Sequence, residues 1–131
     1  MKVGVLLVTH GKLGHYFLDC LRDLIGEELP LDVDVLEVRR VQATDALLRQ
    51  GLRMIERLDG GAGVLILTDA YGSTPANIAN RLGEAAAVRV VAGLNLPMLV
   101  RLFNYPRLGL AEAAASAVEG GQRGIVECPR S

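Results

Sequence analysis

Aromatic residues are scarce in this sequence, and tryptophan is absent. Phe, Tyr and Trp together make up 4% of the 131 residues, whereas 50% of the residues are hydrophobic. The core must therefore consist of Val, Leu, Ile and Ala side chains. A chain of this length buries roughly two thirds of the surface that it exposes when unfolded, which is enough for one core. We expect a single domain that spans residues 1–131.

Long runs of charge and long apolar segments are also missing. The 14 Lys and Arg residues against 15 Asp and Glu residues give a net charge of −1. No basic stretch is present to contact a phosphate backbone, which argues against nucleic acid as a partner. The apolar part of the N-terminus is only about six residues long, too short for a membrane span or a signal peptide. We therefore expect a cytoplasmic protein.

Cysteine is limited to two positions, Cys20 and Cys128. They are far apart in the sequence and form no CxxC pattern or other metal-ligand spacing. We expect a buried thiol and a thiol in the C-terminal tail rather than a disulfide, and we predict no metal site.

Four segments are rich in β-branched residues or Leu, and helical patterns separate them. The predicted strands cover residues 3–8, 33–38, 63–68 and 88–92. Two predicted helices cover residues 15–25 and 43–58, with apolar stripes that include Leu24 and Ala46. A third helix begins near Pro75, because proline fits the first turn, and runs to residue 86. Two more follow the fourth strand, in NLPMLVRLFNY and GLAEAAASAVEGG.

The third strand segment, GVLILTD, is apolar on both faces, as a central strand of a parallel sheet must be. The alternation of strands and helices predicts a three-layer α/β/α sandwich with a mostly parallel sheet and right-handed crossovers. The C-terminal segment, about residues 121–131, is either a frayed tail or an edge strand around Ile125 and Val126. We favour the strand.

Two of the predicted strands end in reactive side chains at the same relative position. His10 follows GVLLVT and Asp69 follows GVLILT. Ligands of open α/β sheets bind at the carboxyl ends of strands, where the strand order reverses. If the order is 2-1-3-4, the first and third strands are neighbours and the two side chains face each other. A carboxylate that fixes the tautomer of an imidazole leaves the other nitrogen free to attack, so we predict His10 and Asp69 as the catalytic pair.

The residues beside this pair suit an anion. Gly11 and Gly72 have no side chain to crowd an approaching group, and GSTP presents hydroxyl and N–H groups at a predicted helix start. The dipole of a helix favours negative charge at this end. We therefore predict Gly11, Gly72, Ser73 and Thr74 as phosphate-binding residues. The same turn also has the composition of a helix cap, with Ser73 or Thr74 satisfying the first N–H groups.

Other polar residues near this edge are interpreted more simply. His15 lies where a helix begins and is interpreted as a surface or rim residue. Arg39 and Arg40 directly follow the second strand, where a solvated pair is favoured over an electrostatic aid for an acidic ligand or partner. NLPML at residues 95–99 is either a strand-to-helix turn or an exposed apolar tip.

Three motifs together resemble the mannose-type IIA components of the bacterial phosphoenolpyruvate-dependent sugar phosphotransferase system (PTS). They are GVLLVTHGKLG, GVLILTDAYGSTPANIA and VVAGLNLPML, in matching order and spacing, and the resemblance covers residues 1 to about 120. It implies a sheet of order 2-1-3-4. It also implies that His10 accepts a phosphoryl group from the phosphocarrier protein HPr and passes it to a IIB protein or domain. Asp69 matches the aspartate that orients this histidine.

The resemblance further implies a homodimer in which a C-terminal strand, here GIVEC at residues 124–128, joins the partner's sheet. Peripheral association with a membrane permease complex is a related expectation.

Two proteins must dock over the histidine to share a transition state, so the rim of the site must be an interface. Its predicted apolar residues are Tyr71, Leu96, Pro97 and Met98. No cofactor is expected, since positioning and electrostatics account for most of phosphoryl transfer.

The chain departs from the family pattern at two points. Members often read DxxGGSP, whereas this chain reads DAYGSTP, with Ser73 in place of the second glycine and Thr74 in place of the serine. Thr74 keeps a hydroxyl before the proline. No IIB domain and no linker rich in Ala and Pro follows, so we expect a free-standing IIA protein.

Three other functions fit parts of the pattern. One is a regulatory module in an incomplete phosphotransferase system, whose partner binding is gated by phosphorylation of His10. Another is the phosphoryl-carrying subunit of a dihydroxyacetone kinase, against which NLPML argues. The third is a flavodoxin-like ligand-binding domain in which His10 is structural. No GxGxxG or GxxxxGKS/T motif follows the first strand, which argues against a nucleotide.

Overall fold

The computed structural model describes residues 1–85 and 87–130. Four strands alternate with helices, and two helices follow the last strand. The strands are β1 (Gly4–His10), β2 (Val33–Val38), β3 (Val64–Thr68) and β4 (Val88–Ala92). The helices are α1 (Leu13–Ile25), α2 (Thr44–Leu58), α3 (Thr74–Leu82), α4 (Leu96–Asn104) and α5 (Leu110–Arg123).

The four strands form one parallel sheet in the order β2-β1-β3-β4, as predicted. Strands β1 and β3 are neighbours, with Val8 opposite Thr68. Strand β1 continues beyond this point, and His10 pairs with Val38 of β2. Because all strands run in the same direction, their carboxyl ends lie along one edge of the sheet, which we name the carboxyl edge.

Aliphatic side chains cover both faces of the sheet. Along β1, Val5 and Leu7 contribute to a core shared with α1, α4 and α5. Leu6 and Val8 contribute to a second core, shared with α2 and α3. Successive side chains of a strand point to opposite faces, so the side chain of His10 lies on the face of α2 and α3. Strand β1 is thus buried on both faces as far as Thr9, and His10 is its first exposed residue.

The start of α1 is fixed against the end of β1. Thr9 is buried, and its Oγ1 accepts a hydrogen bond from the N–H of Gly14 at 2.8 Å. A Cβ at Gly14 would lie 2.7 Å from Cγ1 of Val35. The helix therefore approaches β2 this closely only because residue 14 is glycine. These contacts place the turn that follows His10.

Three local predictions about the helices are corrected. Helix α3 ends at Leu82 rather than at residue 86, because Gly83 is a poor helix former and a turn follows it. Residue 86 itself lies outside the described residues. Leu24 and Ala46 are exposed, since they lie at the borders of the apolar stripes rather than at their centres.

In the part of the chain that the structure describes, no helix has both the length and the apolar character needed to cross a bilayer.

Both cysteines are free, as predicted, but Cys20 is exposed rather than buried. The core positions on this part of α1 are occupied by Leu18 and Leu21. Cys20 lies between them in sequence and therefore on another side of the helix. Cys128 is exposed in the C-terminal segment, as predicted.

The predicted C-terminal edge strand does not form within the single chain. Helix α5 continues to Arg123, and residues 125–130 form neither helix nor strand. A strand forms only when its backbone groups meet those of another strand, and this segment meets none among residues 1–85 and 87–130. Ile125 and Val126 are instead 77% and 68% exposed. Ser131 lies outside the described residues.

Candidate functional site

His10 and Asp69 meet at the carboxyl edge, as the strand-end pattern predicts. His10 is the last residue of β1, and Asp69 directly follows β3. The ring Nδ1 of His10 lies 2.7 Å from Oδ2 of Asp69, and the backbone N–H of His10 donates to the same oxygen at 2.9 Å. Oδ1 of Asp69 accepts the backbone N–H of Ala70 at 2.9 Å. The carboxylate is thus held by three hydrogen bonds.

The exposures of the two side chains differ in a way that suits a nucleophile and its orienting group. The His10 side chain is 58% exposed, whereas that of Asp69 is 8% exposed. An ionised carboxylate only accepts hydrogen bonds, so Nδ1 of His10 carries the ring proton in this contact. Nε2 then keeps its lone pair. A neutral imidazole of this kind is oriented and open to an incoming electrophile.

The turn after β3 requires glycine for its backbone conformation. The N–H of Ser73 donates to the carbonyl of Ala70 at 3.1 Å, which closes a four-residue turn. Gly72 occupies the third position with φ of 81°, a value that type II turns demand there. Gly11, in the turn after β1, likewise has φ of 44°. Apart from the adjacent residues, a Cβ at either position would meet no described atom within 4 Å, so backbone strain rather than crowding selects glycine.

Ser73 and Thr74 play different parts at the start of α3. The Ser73 hydroxyl donates to the carbonyl of Ala70 at 2.6 Å and accepts the N–H of Ala76 at 3.4 Å. Ser73 is therefore the helix cap, and its hydroxyl proton is already donated within the turn. Thr74 is exposed and lines the same cavity as His10. Of the two predicted phosphate-binding hydroxyls, that of Thr74 is the accessible one.

A cavity of about 470 Å³ lies between the segment after β2 and the start of α3, with His10 in its lining. This volume is within the usual range of small-molecule sites, about 300–1,000 Å³. Arg39 and Arg40 both line it, and no Asp or Glu among the described residues does, so its lining is positively charged. The other lining residues are Val38, Gln42, Thr44, Leu47, Thr74 and Pro75.

Glu37 joins His15 to Arg39 beside this cavity. Its Oε1 accepts from Arg39 at 2.6 Å, and its Oε2 lies 3.1 Å from Nε2 of His15. The hydrogen bond from the Arg39 guanidinium is the largest cause that lowers the pKa of the Glu37 carboxyl below its usual value. Desolvation opposes this effect, and the charges of Arg39 and His15, with the contact to His15, lower the pKa further. His15 thus pairs with Glu37 and is absent from the cavity lining, in agreement with its interpretation as a rim residue.

Comparison with known proteins identifies the family. The family model for the PTS system fructose IIA component, the mannose-type IIA group, matches residues 4–118. The chain belongs to this IIA family. The PTS system mannose-specific EIIAB component of Escherichia coli is 29% identical over 128 residues, which cover 95% of this chain and 39% of the relative. The chain therefore spans about two fifths of the length of the curated EIIAB relatives that it matches.

Solved IIA structures share the fold across the whole domain. The mannose/sorbose-specific IIA subunit of the phosphotransferase system from Enterococcus faecalis aligns with a TM-score of 0.87 at 26% identity, over 100% of this chain and 98% of that one. The PTS IIA protein associated with the fucose utilization operon of Streptococcus pneumoniae aligns with a TM-score of 0.80 at 25% identity, over 97% and 93%. The fold described above is thus that of the PTS IIA proteins.

The NLPML motif of this IIA protein is chiefly structural. Asn95 caps α4 by accepting the N–H of Met98 at 2.9 Å, and its Nδ2 donates to the carbonyl of Gly121 in α5 at 3.1 Å. Met98 is 3% exposed, so its assignment to a partner interface is wrong. Its side chain packs in the core, where Gly121 leaves room for it. The motif joins α4 to α5.

The remaining predicted interface residues lie in two separate places. Tyr71 is 87% exposed in the turn after β3, next to the site. Leu96 and Pro97 line a different groove, which also includes Leu24 and Tyr105, and His10 is not part of its lining. Tyr71 therefore lies two residues from Asp69 in an exposed turn, whereas Leu96 and Pro97 belong to a groove that does not include His10.

Two features of the site were missed in the sequence. Thr9 supports the histidine by anchoring α1 through Gly14, and the THGxxG spacing is the signal that could have indicated it. Glu37 was not singled out, although it is the penultimate residue of β2 and its side chain pairs with His15 of α1. Among the residues described, no group of three or more His, Cys, Asp and Glu side chains is arranged to hold a metal ion.

The ion pairing of Glu37 generates a test by titration. Replacement of Arg39 by Ala should raise the pKa of Glu37 toward its usual value, because the largest cause of the depression is removed. The His15→Ala variant should raise it less. The ¹³C chemical shift of the Glu37 carboxyl, followed against pH, measures both changes.

The sign of the pH effect follows from this depression. A carboxyl whose pKa is lowered by folding stabilises the fold above its unfolded pKa, and this contribution is lost as the pH falls through the lowered value. Arg22→Ala is the matched control, because Arg22 pairs with Asp19 instead. A Glu37 titration that is the same in Arg39→Ala and Arg22→Ala would contradict the assigned pair.

Proposed function

We propose that this IIA protein is a phosphoryl carrier that accepts a phosphoryl group on Nε2 of His10 from phosphorylated HPr and passes it to a IIB protein or domain in the cytoplasm. The observation that supports this most directly is the 2.7 Å contact between Nδ1 of His10 and Asp69, combined with the exposure of the same ring. Family membership supports the same chemistry, since the IIA proteins are components of a phosphotransferase system.

The transfer is a substitution at phosphorus between two imidazoles. The lone pair on Nε2 of His10 forms the new N–P bond while the N–P bond of the donor histidine breaks and its electron pair returns to the donor nitrogen. Nδ1 of His10 keeps its proton throughout, so the phosphorylated ring carries a positive charge. The carboxylate of Asp69 lies against that charge and balances it. The reverse sequence of bond changes delivers the group to IIB.

The turn between β3 and α3 supplies donors for the phosphoryl oxygens. The N–H groups of Gly72 and Thr74 have no acceptor among the described residues, and the Thr74 hydroxyl borders the His10 cavity. Donors at a helix start suit the equatorial oxygens, on which negative charge is spread during transfer. Gly11 serves by its backbone conformation, because its own N–H is already donated to the carbonyl of Val38.

Donor and acceptor proteins use the same face in turn. His10 is exposed at the carboxyl edge, and Tyr71 projects beside it as an apolar contact for either partner. Aromatic side chains are enriched in such interfaces because they bury a large area at little entropic cost. Leu96 and Pro97 would enter the contact only as a more distant rim.

A homodimer is supported by a free sheet edge and an unpaired C-terminal segment. Strand β4 pairs with β3 on one side only. A groove of about 620 Å³ runs along β4 and α5, lined by Val88, Val90, Ala114 and Val118 among others. Unpaired strand edges favour the addition of another strand. We infer that residues 124–128 of a second copy pair with this edge and cover the groove.

Replacement of both Ile125 and Val126 by Asp should convert the dimer to a monomer, because two charges cannot be buried in the groove without partners. Sedimentation velocity measures the change in mass. Val41→Asp is the control, since Val41 is 93% exposed and lies outside the groove. A double variant that sediments like the Val41→Asp protein would rule out this mode of pairing.

Labelling identifies the phosphorylated residue. Incubation with phosphoenolpyruvate, enzyme I and HPr should give an acid-labile, base-stable phosphate on the wild-type protein and on His15→Ala, and none on His10→Ala. His15 is the matched control because it is the other exposed histidine of the chain. Label that persists on His10→Ala and is lost on His15→Ala would overturn the assignment. Absence of label from the wild type would refute the carrier function.

Asp69→Asn tests the orienting carboxylate. The amide keeps a hydrogen bond but no longer balances the charged ring, so transfer from HPr should slow by roughly 10- to 100-fold, the equivalent of one charge-assisted hydrogen bond. Rapid-quench kinetics give the rate, and circular dichroism checks that the fold is intact. Asp59→Asn is the control, because Asp59 also accepts loop N–H groups, those of Gly61 and Gly63, but lies away from the site. Equal rates in the two variants would remove Asp69 from the mechanism.

A further inference from the structure

The two arginines of the His10 cavity differ in their partners. The guanidinium of Arg39 donates to Oε1 of Glu37 at 2.6 Å, which compensates its charge. Arg40 has no Asp or Glu within ion-pair distance among residues 1–85 and 87–130. Within that part of the chain, the cavity therefore has an uncompensated cation at Arg40.

The backbone holds Arg40 at the cavity. Gln42 closes a turn with Arg39: its Oε1 accepts the N–H of Arg39 at 2.9 Å, and its own N–H donates to the Arg39 carbonyl at 3.3 Å. Arg40 occupies the second position of this turn and lines the cavity together with His10. The position of Arg40 thus follows from local hydrogen bonds rather than from an ion pair of its own.

The free nitrogen of His10 is directed away from Asp69. Nδ1 and Nε2 lie on opposite sides of an imidazole ring, and Nδ1 is engaged by the carboxylate. A group bonded to Nε2 therefore projects away from Asp69. A phosphoryl group there adds about two negative charges. The cavity that His10 borders has two arginines in its lining and, within residues 1–85 and 87–130, no carboxylate.

We propose that Arg40 binds the oxygens of the phosphoryl group on His10 and so stabilises the phosphorylated form of this protein. The inference rests on the proposed function, in which His10 is the acceptor. A guanidinium presents paired N–H donors that match two phosphate oxygens. Because this ion pair exists only in the phosphorylated form, it shifts the distribution of phosphate between donor and IIA toward IIA.

The test measures an equilibrium. Phosphorylated HPr, freed of enzyme I and phosphoenolpyruvate, is mixed with wild type, Arg40→Ala, Arg40→Lys or Arg49→Ala, and the phosphorylated fractions are quantified after an alkaline quench. Arg40→Ala should lower the equilibrium constant for transfer to IIA roughly five- to tenfold, as expected for loss of a solvent-exposed, charge-assisted hydrogen bond. Arg40→Lys keeps the charge but not the paired donors. Its equilibrium constant should therefore lie between those of the wild type and Arg40→Ala.

An equilibrium measurement distinguishes a residue that binds the phosphoryl group from one that only helps HPr to dock. A residue that only attracts HPr changes the rate of approach to equilibrium and leaves the final ratio unchanged. Arg49→Ala is the matched control, because Arg49 is exposed on α2 and does not line the cavity. An Arg40→Ala ratio equal to that of Arg49→Ala would overturn the inference while the carrier function stands. A wild-type protein that takes no phosphate at all would remove the basis of both.

Discussion

The hydrogen bonds between His10 and Asp69 depend on the way the ladder between β1 and β3 ends. Even-numbered residues of β1 direct their N–H groups toward β3, as Gly4 does to the carbonyl of Gly63. At His10 the acceptor is no longer a backbone carbonyl but Oδ2 of Asp69, at 2.9 Å, and the same oxygen lies 2.7 Å from the ring nitrogen. One carboxylate oxygen therefore replaces the next rung of the sheet and orients the imidazole. The register of the strands is thus a requirement of the chemistry, since a slip of one residue would move the ring to the opposite face.

This dependence explains why the contact between His10 and Asp69 was predictable from the sequence. The composition of β1 and β3 locates their ends to within two residues, and both segments are followed by a polar side chain after a threonine. Parallel strands bring such positions to one edge. The strand order itself was not fixed by composition, because helices on both faces allow several orders, and it followed from the family resemblance instead. The structure confirms that order.

Residues outside the strands were less predictable, because their surroundings come from distant segments. Met98 was assigned to an exposed tip from its neighbours in NLPML, but Gly121 of α5 admits its side chain to the core. Arg40 could be placed near the carboxyl edge, yet its exposure to a cavity depends on the turn closed by Gln42. The C-terminal segment has strand composition but pairs with no strand among residues 1–85 and 87–130. The proposed strand therefore needs a second molecule as its partner.

His10 has an acidic neighbour and borders a cavity with basic residues. Asp69 contacts Nδ1, and Arg39 and Arg40 line the cavity that includes His10. Glu37 neutralises Arg39, and this leaves a single arginine uncompensated among the described residues that line the cavity. In the unphosphorylated protein both Asp69 and Arg40 lack a full counter-charge. In the mechanism that we propose, phosphorylation of His10 supplies one to each, a cationic ring for the carboxylate and an anionic group for the guanidinium. The proposed phosphorylated form is therefore the state in which the charges of this site are best matched, which is the electrostatic property that a phosphoryl carrier needs.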